Sequence, residues 1–460
     1  MATNPFRQLD VIKKVSKQGK SVTDCYRLLY HKSLWIHAYK RLSQHKSTGQ
    51  NQTERNKLKS NHLQQINAII KQIKTNSFRF IDKRKCQKSI NKREEAVKNI
   101  AFKNQIVLEM IKLLLEYVYQ PILPKYSYGN GEEQNIHHAL KEIKYNWGEY
   151  TWCLHGHITN LSNHIESRIL LQSLSKKISD PRFLSLIHNA FISGYINGLH
   201  KNRTSFNSQY PQTLLELLQN IYLYEFDLFI EKQIRNHRQQ HPLQREKSIQ
   251  YIRYDATYII GISGSRAEGL KMQRNIQDFL NKNFELKASN LSVTHLNQKL
   301  IFLDYEIQKS KKPVETNQCF KGICSPPLVQ INIPSYKLKQ FALQYQYGNL
   351  DKFQATPRKK LLNQSEMQIL QRYNQELAAL ANHYKLASNR HKLNKLFYIA
   401  RRSFISTIAK KRKSTYKKVV ISLKKYKKDC LILQGYDSIG KEIHEQFIQL
   451  KDIQTIKSKC

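Results

Sequence analysis

Residues 251–262 read "YIRYDATYIIGI". Two runs rich in Ile and Tyr flank a short polar centre, Asp255-Ala256-Thr257. That pattern predicts strand, tight turn, strand. A hairpin at this point makes the middle of the chain a sheet region, and the neighbouring segments are read relative to it.

Downstream, residues 264–284 have helical spacing, and "LIFLDYEIQ" (300–308) predicts one strand. Upstream, "YTWCLHGHITNLSNHIESRILLQSLSKKI" (150–178) begins as a strand and becomes a helix. Residues 182–197 are helical, and 232–248 form a basic linker. "KNQIVLEMIKLLLEYVYQPIL" (103–123) is a strong helix, stopped by Pro121 and Pro124. In 21–42, Leu28, Trp35, Ala38, Tyr39 and Leu42 recur at helical spacing, and 43–62 is a polar surface linker. From about Pro334 onward the chain is mostly helical. Alternation in the middle and helices at both ends give an α+β fold.

Composition narrows the partner. Lys plus Arg is 77 and Asp plus Glu is 34, a net charge of +43. An excess that large calls for a polyanion or an anionic surface. No apolar run approaches the roughly 18 residues of a membrane span. The cations are spread along the whole chain, so nucleic acid is the expected partner. Hydrophobic residues make up 40% of the sequence, enough for a folded core. The seven cysteines form no disulfide framework or zinc pattern and read as reduced thiols. The first twenty residues contain Asp10 and no apolar signal core, so no presequence is expected. Lys, Asn, Ile, Tyr and Phe are abundant, a bias towards A/T-rich codons that fits an organelle encoding its own protein.

In their order, these segments resemble a group II intron maturase of the reverse-transcriptase type, from about Tyr26 to Tyr426. The phrases that carry the resemblance include "DCYRLLYHKSLWIHAYKRL" (24–42), "NIYLYEFDLFIEK" (220–232) and "IFLDYEI" (301–307). The resemblance implies a right-hand polymerase layout. Residues 1–95 would be a basic helical extension and fingers, and 96–310 fingers and palm. Residues 311–365 would be a thumb-like connection, 366–430 the maturase domain called domain X, and 431–460 a C-terminal tail.

The same resemblance implies a degenerate catalytic centre. Polymerisation needs two Mg²⁺ held by carboxylates, and Mg²⁺ demands hard oxygen ligands. His157 stands where the family has its first carboxylate, and Ala256 and Thr257 stand for the pair in the hairpin turn. Asp255 is one position early, which on a strand reverses the face of the side chain. The fingers loop "YGNGEEQNIH" (128–137) lacks the family's Arg. "YPQTLLE" (210–216) has Thr213 in place of the first Gly of a substrate-contacting loop. Cys153, His155, His157 and His164 suggest a metal, but no further ligand stands in a recognisable place. No metal, no cofactor and no catalytic residue is expected.

The last third reads differently. "QRYNQELAALANHYKLASNRHKLNKLFYIARRSFISTIAKKRKSTYKKVVISLKKYKK" (371–428) closely resembles domain X. Leu393, Leu396, Phe397, Ala400, Phe404 and Ile408 make one apolar helix face, with Ser403, Thr407, Lys410 and Lys411 on another. Residues 401–428 contain twelve Lys or Arg and no acid. Arg401, Arg402, Lys410, Lys411, Arg412, Lys413, Lys417 and Lys418 are expected to neutralise phosphates. The Tyr416 ring suits stacking on an unpaired base. Tyr373, Asn374, Asn382, Tyr384, Ser403 and Thr407 are expected to hydrogen-bond intron RNA.

The function implied is a non-copying splicing cofactor in a plastid, with the mitochondrion as alternative. Intron RNA and other splicing factors would be its partners. Two rivals stay open: an active RNA-directed DNA polymerase with unusual metal ligands, and an interaction partner of another, intact maturase.

Overall fold

A computed structural model describes residues 4–44, 52–81, 94–128, 135–158, 165–196, 214–240, 249–284, 288–310, 329–424, 430–436 and 442–453. The chain divides into two compact units. One comprises Met1–Ala139, Leu154–Asn202 and Pro211–Val293, and the other Leu140–Cys153, Arg203–Tyr210 and Thr294–Cys460.

A five-stranded sheet organises the first unit. Its strands are β1 (Ser127–Tyr128), β2 (Trp152–Ile158), β3 (Ile249–Tyr254), β4 (Thr257–Ile262) and β5 (Ala288–His295), in the order β1-β3-β4-β2-β5. The expected hairpin is β3–β4, paired antiparallel from Ile249↔Ile262 to Tyr254↔Thr257. Asp255 and Ala256 form the turn. Asp255 takes the left-handed conformation (φ 51°), which Asp tolerates better than most residues. It is therefore off the strand, and the turn geometry, not strand alternation, sets where it lies. Gly156 on β2 has no room for a side chain, because a Cβ there would lie 2.7 Å from the Tyr258 hydroxyl and 3.1 Å from Leu291.

Helices supply the rest of this core. Glu94–Tyr119 buries Ile106, Val107, Met110, Ile111, Leu114, Leu115 and Val118, and it ends before Pro121 as expected. Pro181–Ile192 starts on an Asp180 cap that accepts from the backbone N–H groups of Arg182 and Phe183. Asp180 also accepts from Tyr26 N at 2.7 Å, tying in a segment 154 residues away.

Two expected linkers are helical instead. Gln52–Lys74 covers most of 43–62, and Tyr224–Gln240 extends into 232–248. Their Glu, Lys, Gln and Arg residues favour helix even without an apolar stripe. Once Ile66, Ile69, Ile70 and Ile73 are packed, the polar turns before them propagate cheaply.

In the second unit, β6 (Leu300–Phe302), β7 (Tyr305–Lys309) and β8 (Val329–Asn332) form an antiparallel sheet. The expected single strand over 300–308 is thus a hairpin. Leu303 and Asp304 both have positive φ, and Leu is not a turn-forming residue that a sequence reading would flag. Two short pairs follow, β9 (Gly348–Asn349) with β10 (Gln354–Ala355), and β11 (Ile432–Tyr436) with β12 (Glu442–Gln446). The second pair lies in the stretch expected to be a tail.

Candidate nucleic-acid interface

The three positions that the resemblance matches to polymerase carboxylates meet in the first unit. His157 Nδ1 and Thr257 Oγ1 are 3.0 Å apart, a hydrogen bond from β2 to β4. Ala256 is buried, and its carbonyl accepts from Ile158 N at 2.8 Å. His155 Nε2 lies 2.9 Å from Ser292 Oγ. Desolvation by the surrounding strands lowers the pKa of both imidazoles, so they are neutral at physiological pH. Burial pushes the Cys153 thiol up, which keeps it protonated and a poor metal ligand. Among the described residues no three His, Cys, Asp or Glu side chains are grouped to hold a metal. His157, Thr257 and Ala256 together offer one imidazole, one hydroxyl and one methyl. That donor set does not fit a pair of Mg²⁺ ions. His164 and the loop at 211–213 lie outside the described residues.

Behind the hairpin the sheet is braced by charge. Arg253 is fully buried and donates from Nε and Nη2 to the two carboxylate oxygens of Asp227, at 2.8 and 2.6 Å. Its Nη1 donates to Asn220 Oδ1 at 2.8 Å and to the Asp255 carbonyl at 2.9 Å. Ser127 Oγ accepts from Nη2 at 2.5 Å. The turn is thus held from within its own unit.

Three helices form the cationic region of the second unit. Glu366–His383 starts on a Ser365–Gln368 capping box, and Tyr416–Leu423 starts on a Thr415 cap. Between them runs Leu393–Lys411. Its expected apolar face is buried at every position: Leu393, Leu396, Phe397, Ala400, Phe404 and Ile408.

The expected polar face is corrected. Ser403 and Thr407 are fully buried, as are Tyr373 and Tyr384. Tyr373 Oη lies 2.9 Å from Ser403 Oγ and 3.2 Å from Thr407 Oγ1. Ser403 Oγ donates to the Thr356 carbonyl at 2.6 Å, and Thr407 Oγ1 accepts from Arg358 N at 2.9 Å. The Arg358 guanidinium then makes a bidentate pair with Glu376, at 2.8 and 3.1 Å, and stacks on Tyr373 with 4.9 Å to the ring centroid. Four residues expected to read RNA therefore point inward: the 356–358 backbone partners Ser403 and Thr407, and those two hydroxyls partner Tyr373. Tyr384 Oη donates to the Asp304 carbonyl at 3.2 Å. Asn374 is spent too: its Nδ2 donates to the Gln446 carbonyl at 2.8 Å and its Oδ1 accepts from Ile448 N at 2.9 Å. Asn382 is half-buried.

The charges do face outward. Arg402, Lys410, Arg412, Lys413, Lys417 and Lys418 are exposed, with Tyr416 at 39% exposure, while Arg401 and Lys411 are half-buried. Three of these cations are engaged in the fold, Arg402 through a 3.5 Å bond from Nη1 to the Phe353 carbonyl. Arg412 pairs with Glu366 at 2.7 and 2.5 Å, and Lys411 Nζ donates to the Leu362 carbonyl at 2.8 Å. Lys410, Lys413, Lys417 and Lys418 form no ion pair with a described residue. Sequence reading missed Tyr398, which is 50% exposed, with the Arg402 guanidinium 5.7 Å from its ring centroid. The i, i+4 spacing of an aromatic and an Arg was the available signal. It also missed Lys395, whose Nζ lies 4.1 Å from the ring centroid of the half-exposed Phe353.

Comparison with known proteins places this region. Residues 329–459 match the family described as type II intron maturase. The group II intron-encoded protein LtrA of Lactococcus lactis subsp. cremoris is 23% identical over 477 residues, spanning 90% of this chain and 80% of its own. Nuclear intron maturase 1, mitochondrial, of Arabidopsis thaliana is 22% identical over 286 residues, 45% of this chain and 40% of its own. A telomerase structure from Candida albicans aligns over 74% of this chain and 59% of its own, at 9% identity and a TM-score of 0.28.

Proposed function

The chain carries a type II intron maturase domain over residues 329–459 and is a homologue of group II intron-encoded proteins, and from that premise we propose that it binds folded intron RNA and assists splicing without copying the RNA. The observation that carries this reading is the contrast between its two sites. One presents a hydrogen-bonded His157–Thr257 pair beside Ala256, where the resemblance calls for carboxylates. The other presents exposed Arg402, Lys410, Lys413, Lys417 and Lys418 with Tyr416 among them. In this reading the RNA performs its own transesterification. The protein lowers the repulsion between closely packed phosphates and holds the folded form. The palm-like sheet persists because it buries core, and only catalysis requires the acids.

The test pairs two assays on the full chain. The protein is expected to raise the spliced fraction of a group II precursor at limiting Mg²⁺, and to give no extension of a primed RNA template with Mg²⁺ or Mn²⁺. Primer extension would establish the polymerase alternative. Splicing that rises only when an intact maturase is added would establish the accessory alternative.

We infer an organelle as the place of action, a plastid first and a mitochondrion second. The A/T-rich composition and the mitochondrial designation of an Arabidopsis thaliana relative support an organelle. Recovery of the protein only outside organelle fractions would overturn this. No helix among the described residues is long and apolar enough to cross a membrane.

A further inference from the structure

A cleft of about 300 Å³ opens in the second unit between the helix Leu393–Lys411 and residues 447–451. Its floor is apolar: Phe397, Leu431 and Phe447 are all at least nine-tenths buried. Its rim is polar and cationic, with Arg401 and Asn394 on the helix and Gln449 and Lys451 opposite. Tyr398 forms one wall and stays half exposed. Its neighbour Arg402 carries the surface on towards the exposed Tyr416.

We propose that this cleft holds one unpaired nucleotide of a single-stranded RNA segment. The base would stack on Tyr398 over the Phe397–Phe447 floor, and its phosphates would meet Arg401 and Lys451. The fit is chemical. A nucleotide is flat and apolar on its faces, polar at its edges and anionic at one end, and the cleft has an apolar floor, the Asn394 amide at its rim and two cations at its mouth. Bases stacked inside a duplex present no free face, so a duplex cannot place one in the cleft. A single strand can splay a base into such a site, and aromatic stacking accepts any base. Arg402 and Tyr416 then lie where the next nucleotides of the strand would run. The inference rests on the RNA-binding reading above and adds a preference within it.

The test uses the full chain with two fluorescent probes, an eight-nucleotide oligouridylate and a fully paired RNA hairpin of similar charge. Tyr398→Ala is expected to weaken oligouridylate binding about five- to a hundredfold, the loss of one base stack. It should change hairpin binding less than about twofold. Tyr398→Phe should bind oligouridylate like the parent, because the ring remains. Arg401→Gln should weaken oligouridylate binding and flatten its salt dependence. Tyr398 is half exposed, so Tyr398→Ala should melt with the parent, and the melting curve verifies it. Hairpin binding without oligouridylate binding overturns the nucleotide cleft and leaves the RNA-binding reading intact. So does oligouridylate binding that Tyr398→Ala leaves unchanged, or an equal loss on both probes. Failure of the parent protein to bind either probe overturns both readings.

Discussion

Arg253 and Asp227 face one another through two hydrogen bonds, at 2.8 and 2.6 Å, and neither side chain reaches solvent. Arg253 also donates to the carbonyl of Asp255, two residues further on. The ion pair is therefore part of the hairpin turn as well as of the core beneath it. Burial opposes charge on both groups, and their proximity offsets it.

Removing one partner leaves the other charge buried and uncompensated, which costs about 3–5 kcal/mol. Asp227→Ala should destabilise the first unit by that amount, seen as a lower urea midpoint. The double variant Asp227→Ala with Arg253→Met should recover part of the loss. A midpoint unchanged in Asp227→Ala would mean that the pair is not closed in solution.

Ser403 and Thr407 should behave as structural groups. Thr407→Val takes the acceptor from Arg358 N, and Ser403→Ala takes a donor from the Thr356 carbonyl. Each leaves a buried polar group unsatisfied, at about 1–3 kcal/mol. The melting temperature should fall while the preference of the folded protein for its cognate intron stays constant. Lost preference with an unchanged melt would return these hydroxyls to the RNA surface.

Salt dependence should sort the cations. Each phosphate contact contributes about 0.7–0.9 to the slope of log K against log salt. Replacing Lys410, Lys413, Lys417 and Lys418 by Gln should flatten the slope by up to about three units. Replacing Lys411 and Arg412 should change it less and stability more, since both are bonded within the fold. Equal slopes in the two sets would show that surface exposure does not decide phosphate contact.

Acid should weaken the second unit through His383. Burial pushes its imidazole down to about 4, from an ordinary value near 6.5. The unfolded chain then binds the extra proton and the folded chain does not. Stability is full above about pH 6.5 and falls as the pH drops towards 4, by about 3 kcal/mol over that window. His383→Gln should flatten this part of the profile, as measured by urea midpoints between pH 4 and 7. A parallel profile in the variant would assign the acid sensitivity to other groups.

The hairpin was legible because its partners are close in sequence and its two Ile- and Tyr-rich runs flank a short polar turn. The apolar stripe from Leu393 to Ile408 was legible for the same kind of reason, as period alone defines it. Ser403 and Thr407 were not. A hydroxyl on a helix reads as surface unless something across the fold accepts it, and here the partners are 47 and 49 residues away. The cationic residues of the interface were legible as composition. Which of them are spent on Glu366 or Leu362, and which wall of the cleft Tyr398 forms, depends on packing that no local pattern encodes. The β11–β12 pair was missed because its two strands are only five residues each.

The Asn374 clasp has a consequence for the order of events on the ribosome. Its amide grips backbone at Gln446 and Ile448, more than seventy residues later in translation. Phe447, between those two, packs against Phe404 at 5.3 Å. A nascent chain that has already released Leu393–Lys411 must wait several seconds, at typical elongation speeds of about 5–20 residues per second, before residue 447 arrives to cover that ring. The charged helix thus emerges well before its surroundings are complete. Until residue 447 is made, the Phe404 ring lacks the Phe447 contact, so the helix Leu393–Lys411 gains its full packing only late in synthesis.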